Sequence, residues 1–314
     1  SNRLAFVASM ELPTWNRTIL DRSVKRAIEK ADGSRPVIAH SGVWPHLPQL
    51  DGTDSHLYFG WYHGEERDLP GFAARIPRMV RFVSEFGAQA VPTTADFMEP
   101  GRWPALDWER LGHTHGLQKE QFDERVPPAA FASFEQWQDA TQAYQAMLIK
   151  HHVEHLRRLK YRPTGGFAQF AFADGYPAVT WSVLGHDRAP KAGLAALADA
   201  CRPVIVVADR PPAVVHAGEE LVLDVHAISD LRRPCAATVI TATLSWPGGE
   251  TAWRWQGDLP ADDCVRVGEV RVVVPDVEGE LRLDLTLAGG SIDVRNSYGS
   301  MISPTREGDG RIDP

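Results

Sequence analysis

The sequence predicts an α/β unit followed by an all-β unit. Three observations carry this expectation. Ahead of Arg202, short and nearly wholly apolar runs alternate with helical patterns, as expected of strands that pair in parallel and are covered on both faces. Beyond Arg202 the texture changes to short runs of alternating polarity, which suits strands with one wet face. The length of 314 residues is about twice the commonest domain size, so two structural units are expected.

The first periodic segment, residues 14–31, sets Leu20, Val24, Ala27, Ile28 and Ala31 on one stripe and closes at Asp32-Gly33-Ser34. It reads as an amphipathic helix. Because the chain opens within a helical pattern, it is expected to be a fragment. Residues 35–42 read as a short buried strand with His40 and Ser41 at its C-terminal end. Residues 55–62, 81–89 and 166–174 have the same form, and polar ends on apolar strands point to a site. Between the last two runs lies the clearest helix, with Phe134, Trp137, Tyr144, Leu148, Leu156 and Leu159 at the spacing of a buried stripe. Ser133 and Gln136 fit a capping box, and Arg157, Arg158, Lys160 and Arg162 suit the negative end of the helix dipole before Pro163. A further helix is expected over 190–201. Half of a β/α barrel and an open sheet both fit this pattern.

The second unit is expected to be a β-sandwich with strands over 221–227, 237–246, 250–255, 265–274 and 281–287. In the last of these, Leu281, Leu283, Leu285 and Leu287 face one side while Arg282, Asp284 and Thr286 face the other. Pro211-Pro212 reads as the linker, and the tail from Ser303, rich in Gly, Pro and charge, as mobile.

Composition narrows the function. With 33 basic against 41 acidic side chains the net charge is -8, which opposes binding to a phosphate backbone, so no nucleic-acid partner is expected. The apolar run 4–10 is too short to span a bilayer and has no cleavage-site pattern, so no membrane partner is expected. Cys201, Cys235 and Cys264 form no CxxC pair, which fits a reducing cytoplasm and signals neither disulfides nor zinc. No cofactor and no metal are expected.

Glu85 is the strongest candidate for chemistry, because a carboxylate within Phe82-Val83-Ser84-Glu85-Phe86 loses hydration unless the fold gives it partners or a task. A plain ion pair with Arg81 or Arg78 is an equally good reading of that segment alone. His151 and His155 have a spacing that can bind a metal, but a basic, partly exposed helix face explains them better. Asp51, Thr53 and Asp54 read as an oxygen-rich loop, and His113 and His115 as a surface loop. Trp61 divides evenly between sugar stacking and core, whereas Trp181 reads as core. Ser41 beside His40 hints at a nucleophile, but no GxSxG elbow surrounds it.

Four blocks, taken in order, resemble the C-terminal part of glycoside hydrolase family 2 catalytic domains, of the β-mannosidase and β-galactosidase kind. Residues 54–64 (DSHLYFGWYHG) resemble the family's strand-six stretch, and 81–87 (RFVSEFG) the stretch that holds its nucleophile. Residues 166–182 (GFAQFAFADGYPAVTWS) resemble its strand-eight segment, and 189–192 (APKA) its Pro-Lys-Ala helix start. The resemblance covers roughly residues 12–203. It implies a (β/α)8 TIM-barrel portion holding strands five to eight over residues 1–203. An immunoglobulin-like sandwich accessory domain would follow over 204–302, and the tail over 303–314.

The implied activity is that of a retaining glycosidase acting on β-mannoside-like or β-galactoside-like carbohydrate substrates. Glu85 would attack the anomeric carbon, and His40, His56, Tyr58, Trp61, Phe170 and Asp174 would line the sugar site. The family's acid is the Glu of an Asn-Glu pair closing strand four. Met10-Glu11 does not match that pair, so the acid/base is expected upstream and the fragment alone is expected to be inactive. The strand-five edge should be covered by a missing N-terminal half of the barrel or by another chain. Phe170, Ala171 and Ala173 stand where the family usually shows Trp, Gln and Asn. A catalytically decayed carbohydrate-binding or structural protein is therefore the alternative.

Overall fold

Three short strands, β1 (Ser55–His56), β2 (Phe82–Glu85) and β3 (Gly166–Phe167), pair in parallel with β2 in the centre. The computed structural model describes residues 21–38, 41 and 54–304, and the chain divides between Asp199 and Ala200 into two compact units. The sheet belongs to the first. Ser55 lies opposite Val83 and His56 opposite Glu85, while Phe82 and Val83 lie opposite Gly166 and Phe167.

These strands are shorter than the apolar runs that predict them, and the reason is local. Phe86, Ala88, Ala90 and Val91 are all 0% exposed, yet they run as irregular extended chain beside a long helix, α5 (Phe134–Arg158). Polar side chains on that helix take the place of a neighbouring strand. Thr141 Oγ1 accepts from Val91 N–H at 3.1 Å, Gln142 Nε2 donates to Val91 O at 3.0 Å, and Gln145 Nε2 donates to Ala88 O at 2.9 Å. Buried backbone is thus satisfied without a ladder. The run expected over 166–174 likewise leaves the sheet after Phe167. Ala171 N–H and Asp174 N–H then donate to Trp181 O and Leu184 O. Phe170 and Phe172 come to lie 38% and 66% exposed, where buried strand positions were expected.

Helix α1 (Asp21–Ala31) forms as expected over its described part, but Val24 and Ile28 are 48% and 46% exposed, so the described residues do not cover its apolar stripe. Residues 35–38 are not a strand, and apart from Ser41 the rest of that expected element lies outside the described residues. Next come α2 (Leu69–Arg75), α3 (Trp108–His115) and α4 (Lys119–Arg125). Asp107 caps α3 by accepting from Arg110 N–H at 3.0 Å, and Gly116 ends it at φ 72°, a left-handed turn that glycine adopts without strain. His113 and His115 are therefore helical residues and not a loop. His115 Nδ1 lies 2.7 Å from Pro177 O, and its ring lies 4.6 Å from that of Phe97.

Ser133 caps α5, accepting from Gln136 N–H at 3.3 Å. The expected box is only half made, because Gln136 Oε1 accepts from Ala132 N–H. Phe134, Trp137, Thr141, Leu148, Val153 and Leu156 form its buried stripe. Trp137 packs with Trp61, Phe122 and Met98 in the core of the unit. The last helix, α6 (Ala192–Ala200), runs up to the division.

The second unit is two sheets around one core. One is five-stranded in the order β5-β11-β10-β7-β8: β5 (Val214–His216), β7 (Cys235–Trp246), β8 (Gly249–Leu259), β10 (Gly279–Gly289) and β11 (Ile292–Ser303). The other is β4 (Val204–Ala208), β6 (Glu220–Ser229) and β9 (Cys264–Val273), in the order β4-β6-β9. Leu281, Leu283, Leu285 and Leu287 are 2%, 1%, 1% and 0% exposed and pack with Val206, Leu223 and Val225 of the facing sheet. The period-two reading of that strand holds. A polar seam joins β11 to β4, where Tyr298 Oη accepts from Ala208 N–H at 3.2 Å and Asn296 Nδ2 donates to Val206 O at 3.0 Å. Trp255 of β8 lies over Gly268 of β9, where an added Cβ would stand 2.2 Å from the indole nitrogen. Pro211-Pro212 proves to lie between β4 and β5, inside this unit and not between the units. Ser303, where the tail was expected to open, is the last residue of β11, and residues 305–314 lie outside the described residues.

Candidate functional site

The parallel register brings together what the sequence keeps 29 residues apart. His56 and Glu85 are the last residues of β1 and β2 and lie opposite each other, which places the imidazole Nδ1 3.1 Å from Glu85 Oε2. Just past the end of β1, Tyr58 donates its phenolic hydrogen to the same oxygen at 2.9 Å. The His56 and Glu85 side chains are 27% and 29% exposed, half-sheltered and reachable from outside. Among the described residues nothing donates to Oε1 of Glu85. Burial, and after it the negative charge of Glu85, push the Tyr58 phenol far above its ordinary range, so it remains a donor at any working pH.

A second layer supports this pair. Asp54, 3% exposed, accepts from Ser41 Oγ at 2.5 Å and from Ser84 Oγ, and Ser41 Oγ lies 3.2 Å from His56 Nε2. Ser41, His56 and Glu85 thus stand in the order of a hydrolytic triad. The shorter, charge-assisted bond commits the serine hydrogen to Asp54, so His56 is not placed to take it, and a serine nucleophile is disfavoured.

Of the other residues singled out by sequence, Trp61 and Asp174 sit where neither can meet a ligand. Trp61 is 0% exposed, donates from Nε1 to Gln118 Oε1 at 2.9 Å and packs edge-on to Phe122 at 5.3 Å, which makes it core. Asp174 is 5% exposed and accepts from Thr180 Oγ1 and, at 2.7 Å, from Ser182 Oγ. The ammonium of Lys191 lies 3.6 Å from it. Its role here is architectural. Burial pulls Lys191 down to about 8 despite the attraction of Asp174. His40 lies outside the described residues, as do Asp51 and Thr53.

Trp181, read from sequence as core, packs against the core of the unit but is only half-buried, near the Glu85 end of the sheet. Its ring lies 6.4 Å from Tyr58, 6.2 Å from Tyr62 and 5.7 Å from Phe170. Tyr62 and Phe170 are 41% and 38% exposed. Gly87 permits this approach: its φ is 148°, and a Cβ there would stand 2.7 Å from Phe170 O and 3.7 Å from Trp181 Cδ1. Gln118 Nε2 donates to Tyr62 Oη at 2.6 Å while its Oε1 holds Trp61. Sequence reasoning missed Ser84, Tyr62 and Gln118. A polar residue in an apolar strand was the available signal for Ser84, and nothing marked the other two.

Among the described residues no group of three or more His, Cys, Asp or Glu side chains is placed to hold a metal ion, and no helix is long and apolar enough to cross a membrane.

No family model matches the chain, and neither does any curated protein. Among solved structures it is similar to the β-D-mannosidase from Dictyoglomus thermophilum, with a TM-score of 0.59 at 19% identity over 78% of this chain and 30% of that one. It is also similar to the exo-chitosanase CsxA from Amycolatopsis orientalis, with a TM-score of 0.47 at 16% identity over 68% of this chain and 27% of that one. The chain thus spans less than a third of the length of either enzyme. Over the part that it spans, the chain has a fold like that of the mannosidase, which is a glycosidase.

Proposed function

We propose that the chain is the C-terminal part of a retaining glycoside hydrolase of the family 2 kind. In this reading β1, β2 and β3 are strands six, seven and eight of a (β/α)8 barrel over residues 1–203, and the sandwich over 204–302 is an immunoglobulin-like accessory domain. The observation that carries it is the state of Glu85, which is held through one oxygen by Tyr58 and His56 while the other oxygen is unengaged among the described residues. A carboxylate fixed in this way keeps a lone pair for attack at a sugar's anomeric carbon. The Tyr58 hydroxyl stays on the oxygen that becomes the ester carbonyl. Barrel sites lie at the C-terminal ends of strands, where His56 and Glu85 are found.

A retaining mechanism needs a second carboxyl about 5.5 Å from the first. Asp54 and Asp174 are both buried and engaged, so neither serves. The acid is assigned to a segment upstream, or to another chain. His40 and Phe170 would line the sugar site. The test is labelling of the full polypeptide with 2-deoxy-2-fluoro-β-glycosyl fluorides of several sugars. A glycosyl adduct on Glu85, absent in E85Q, is expected. No adduct, or one elsewhere, refutes the assignment.

A second reading is favoured by Phe170, Ala171 and Ala173, which offer sugar hydroxyls no partner: a carbohydrate-binding protein that has lost hydrolysis. It predicts sugar binding without any adduct.

A further inference from the structure

We propose that Tyr62 is a specificity-determining residue of the Glu85 site, a one-way hydrogen-bond donor to a sugar oxygen, and that Gln118 is the positioning residue that fixes its polarity. The proposal rests on the glycosidase reading and names a recognition contact for the same site. Its direction follows from one amide. The indole N–H of Trp61 can only donate, so the Gln118 atom 2.9 Å from it is the oxygen. The amide nitrogen is left to face Tyr62 Oη, at 2.6 Å. That nitrogen has only hydrogens to give, so Tyr62 accepts from it and keeps its own hydrogen. Among the described residues no group accepts that hydrogen.

The amide cannot easily turn over. Gln118 N–H donates to Gln89 Oε1 at 2.9 Å, and Gln89, 0% exposed, donates in turn to Gly116 O at 2.8 Å. Trp61 is buried, so a flipped amide would strand its indole hydrogen against another donor. Tyr62 is held as firmly beside the carboxylate. The N–H groups of Trp61, Tyr62 and His63 all donate to Tyr58 O, at 3.0, 3.0 and 3.2 Å, and Tyr144 of α5 closes the same turn by donating to Gly60 O. This turn sets the Tyr62 ring 5.1 Å from that of Tyr58, whose hydroxyl holds Glu85, and leaves Tyr62 41% exposed.

A donor fixed in this way discriminates. Partial burial pushes the Tyr62 phenol above its ordinary range, against the pull of the hydrogens offered by Gln118 and Trp61, so the phenolic hydrogen stays in place at neutral pH. A sugar whose anomeric carbon meets Glu85 carries oxygens around that carbon, and any of them can accept. An ammonium at the same point would set hydrogen against hydrogen.

Calorimetric titration of the full polypeptide tests the contact, using methyl 1-thio-β-glycosides of mannose, galactose, glucose and glucosamine. Thioglycosides resist cleavage, so the readout does not depend on Glu85 chemistry. Y62F removes the donor and should weaken the tightest-bound sugar about fivefold to tenfold. Q118E keeps one oxygen for Trp61 and turns the other toward Tyr62, where it takes the phenolic hydrogen, and it should weaken the same sugar as much. The double variant should lose no more than either single one, an outcome that looser packing or an added charge would not reproduce. Trp61 keeps its partner in Q118E, so the unfolding transition should stay at the wild-type position, and Y62F tests the donor whether or not Q118E folds. Unchanged affinity in Y62F, losses that add in the double variant, or no binding of any of the four sugars overturns the proposal. Weakened binding in Y62F without a Glu85 adduct in the wild type would sink the nucleophile and leave the contact, and an adduct with binding unchanged in Y62F would do the reverse.

Discussion

The stability of the first unit should rise as pH is raised above neutrality, and Lys191 is the reason. Its ammonium is 2% exposed and donates to Ala90 O at 3.1 Å, Thr180 O at 3.3 Å and Ser182 Oγ at 3.0 Å, with Asp174 3.6 Å away. Burial lowers its pKa from 10.5 to about 8. Between those values the unfolded chain binds more protons than the folded one, so unfolding becomes less favourable as pH climbs. From about pH 7 to about pH 9.5 the share of this one group is about 2 kcal/mol. K191M abolishes the titration and leaves the Asp174 carboxylate buried without its cation, a change that destabilises by about 3–5 kcal/mol when a buried pair is broken from one side. Part of that loss is offset because an ammonium no longer has to be desolvated, so about 3 kcal/mol is expected at neutral pH. Urea unfolding followed by tryptophan fluorescence at the two pH values measures both quantities. Equal pH slopes in the wild type and K191M, or equal stability at neutral pH, would refute the reasoning.

Two further outcomes follow from backbone and packing. G87A meets a carbonyl oxygen at 2.7 Å in a φ that side chains rarely adopt, so the first-unit transition should drop by about 2–4 kcal/mol and adduct formation at Glu85 should fall with it. L285A, in the centre of the sandwich at 1% exposure, should lower only the second-unit transition, by about 2–5 kcal/mol, with labelling of Glu85 unchanged; loss of both transitions together would count against independent units.

The sandwich was the more legible half of the chain. Alternation in 281–287 reports a sheet with one wet face, and the structure buries those four leucines. Three strands escaped. β4 and β5 were hidden by the Pro-Pro pair read as a linker, and β11 carries Asp293, Arg295 and Ser297 on its outer side, which dilutes its apolar signal. In the first unit burial and strand form part company. An apolar run tells of burial, but side chains of α5 can satisfy its backbone as well as a ladder can, so 86–89 read as strand and is not. Glu85 stood out because a charge in an apolar run needs partners. Which partners, and why Trp61 is core while Trp181 is only half-buried, depends on how irregular chain turns, and no period in the sequence encodes that.

The tryptophan resting on bare backbone at the corner of the sandwich has a consequence for how this domain can change. Nothing larger than hydrogen fits beneath the indole at position 268 while Trp255 is present. Substitution at 268 thus becomes tolerable only once 255 has shrunk, and shrinking 255 first would open a void above the glycine. The two sites form a single volume shared across separate sheets. Related chains should exchange it between them in compensating pairs, with one of the two always small.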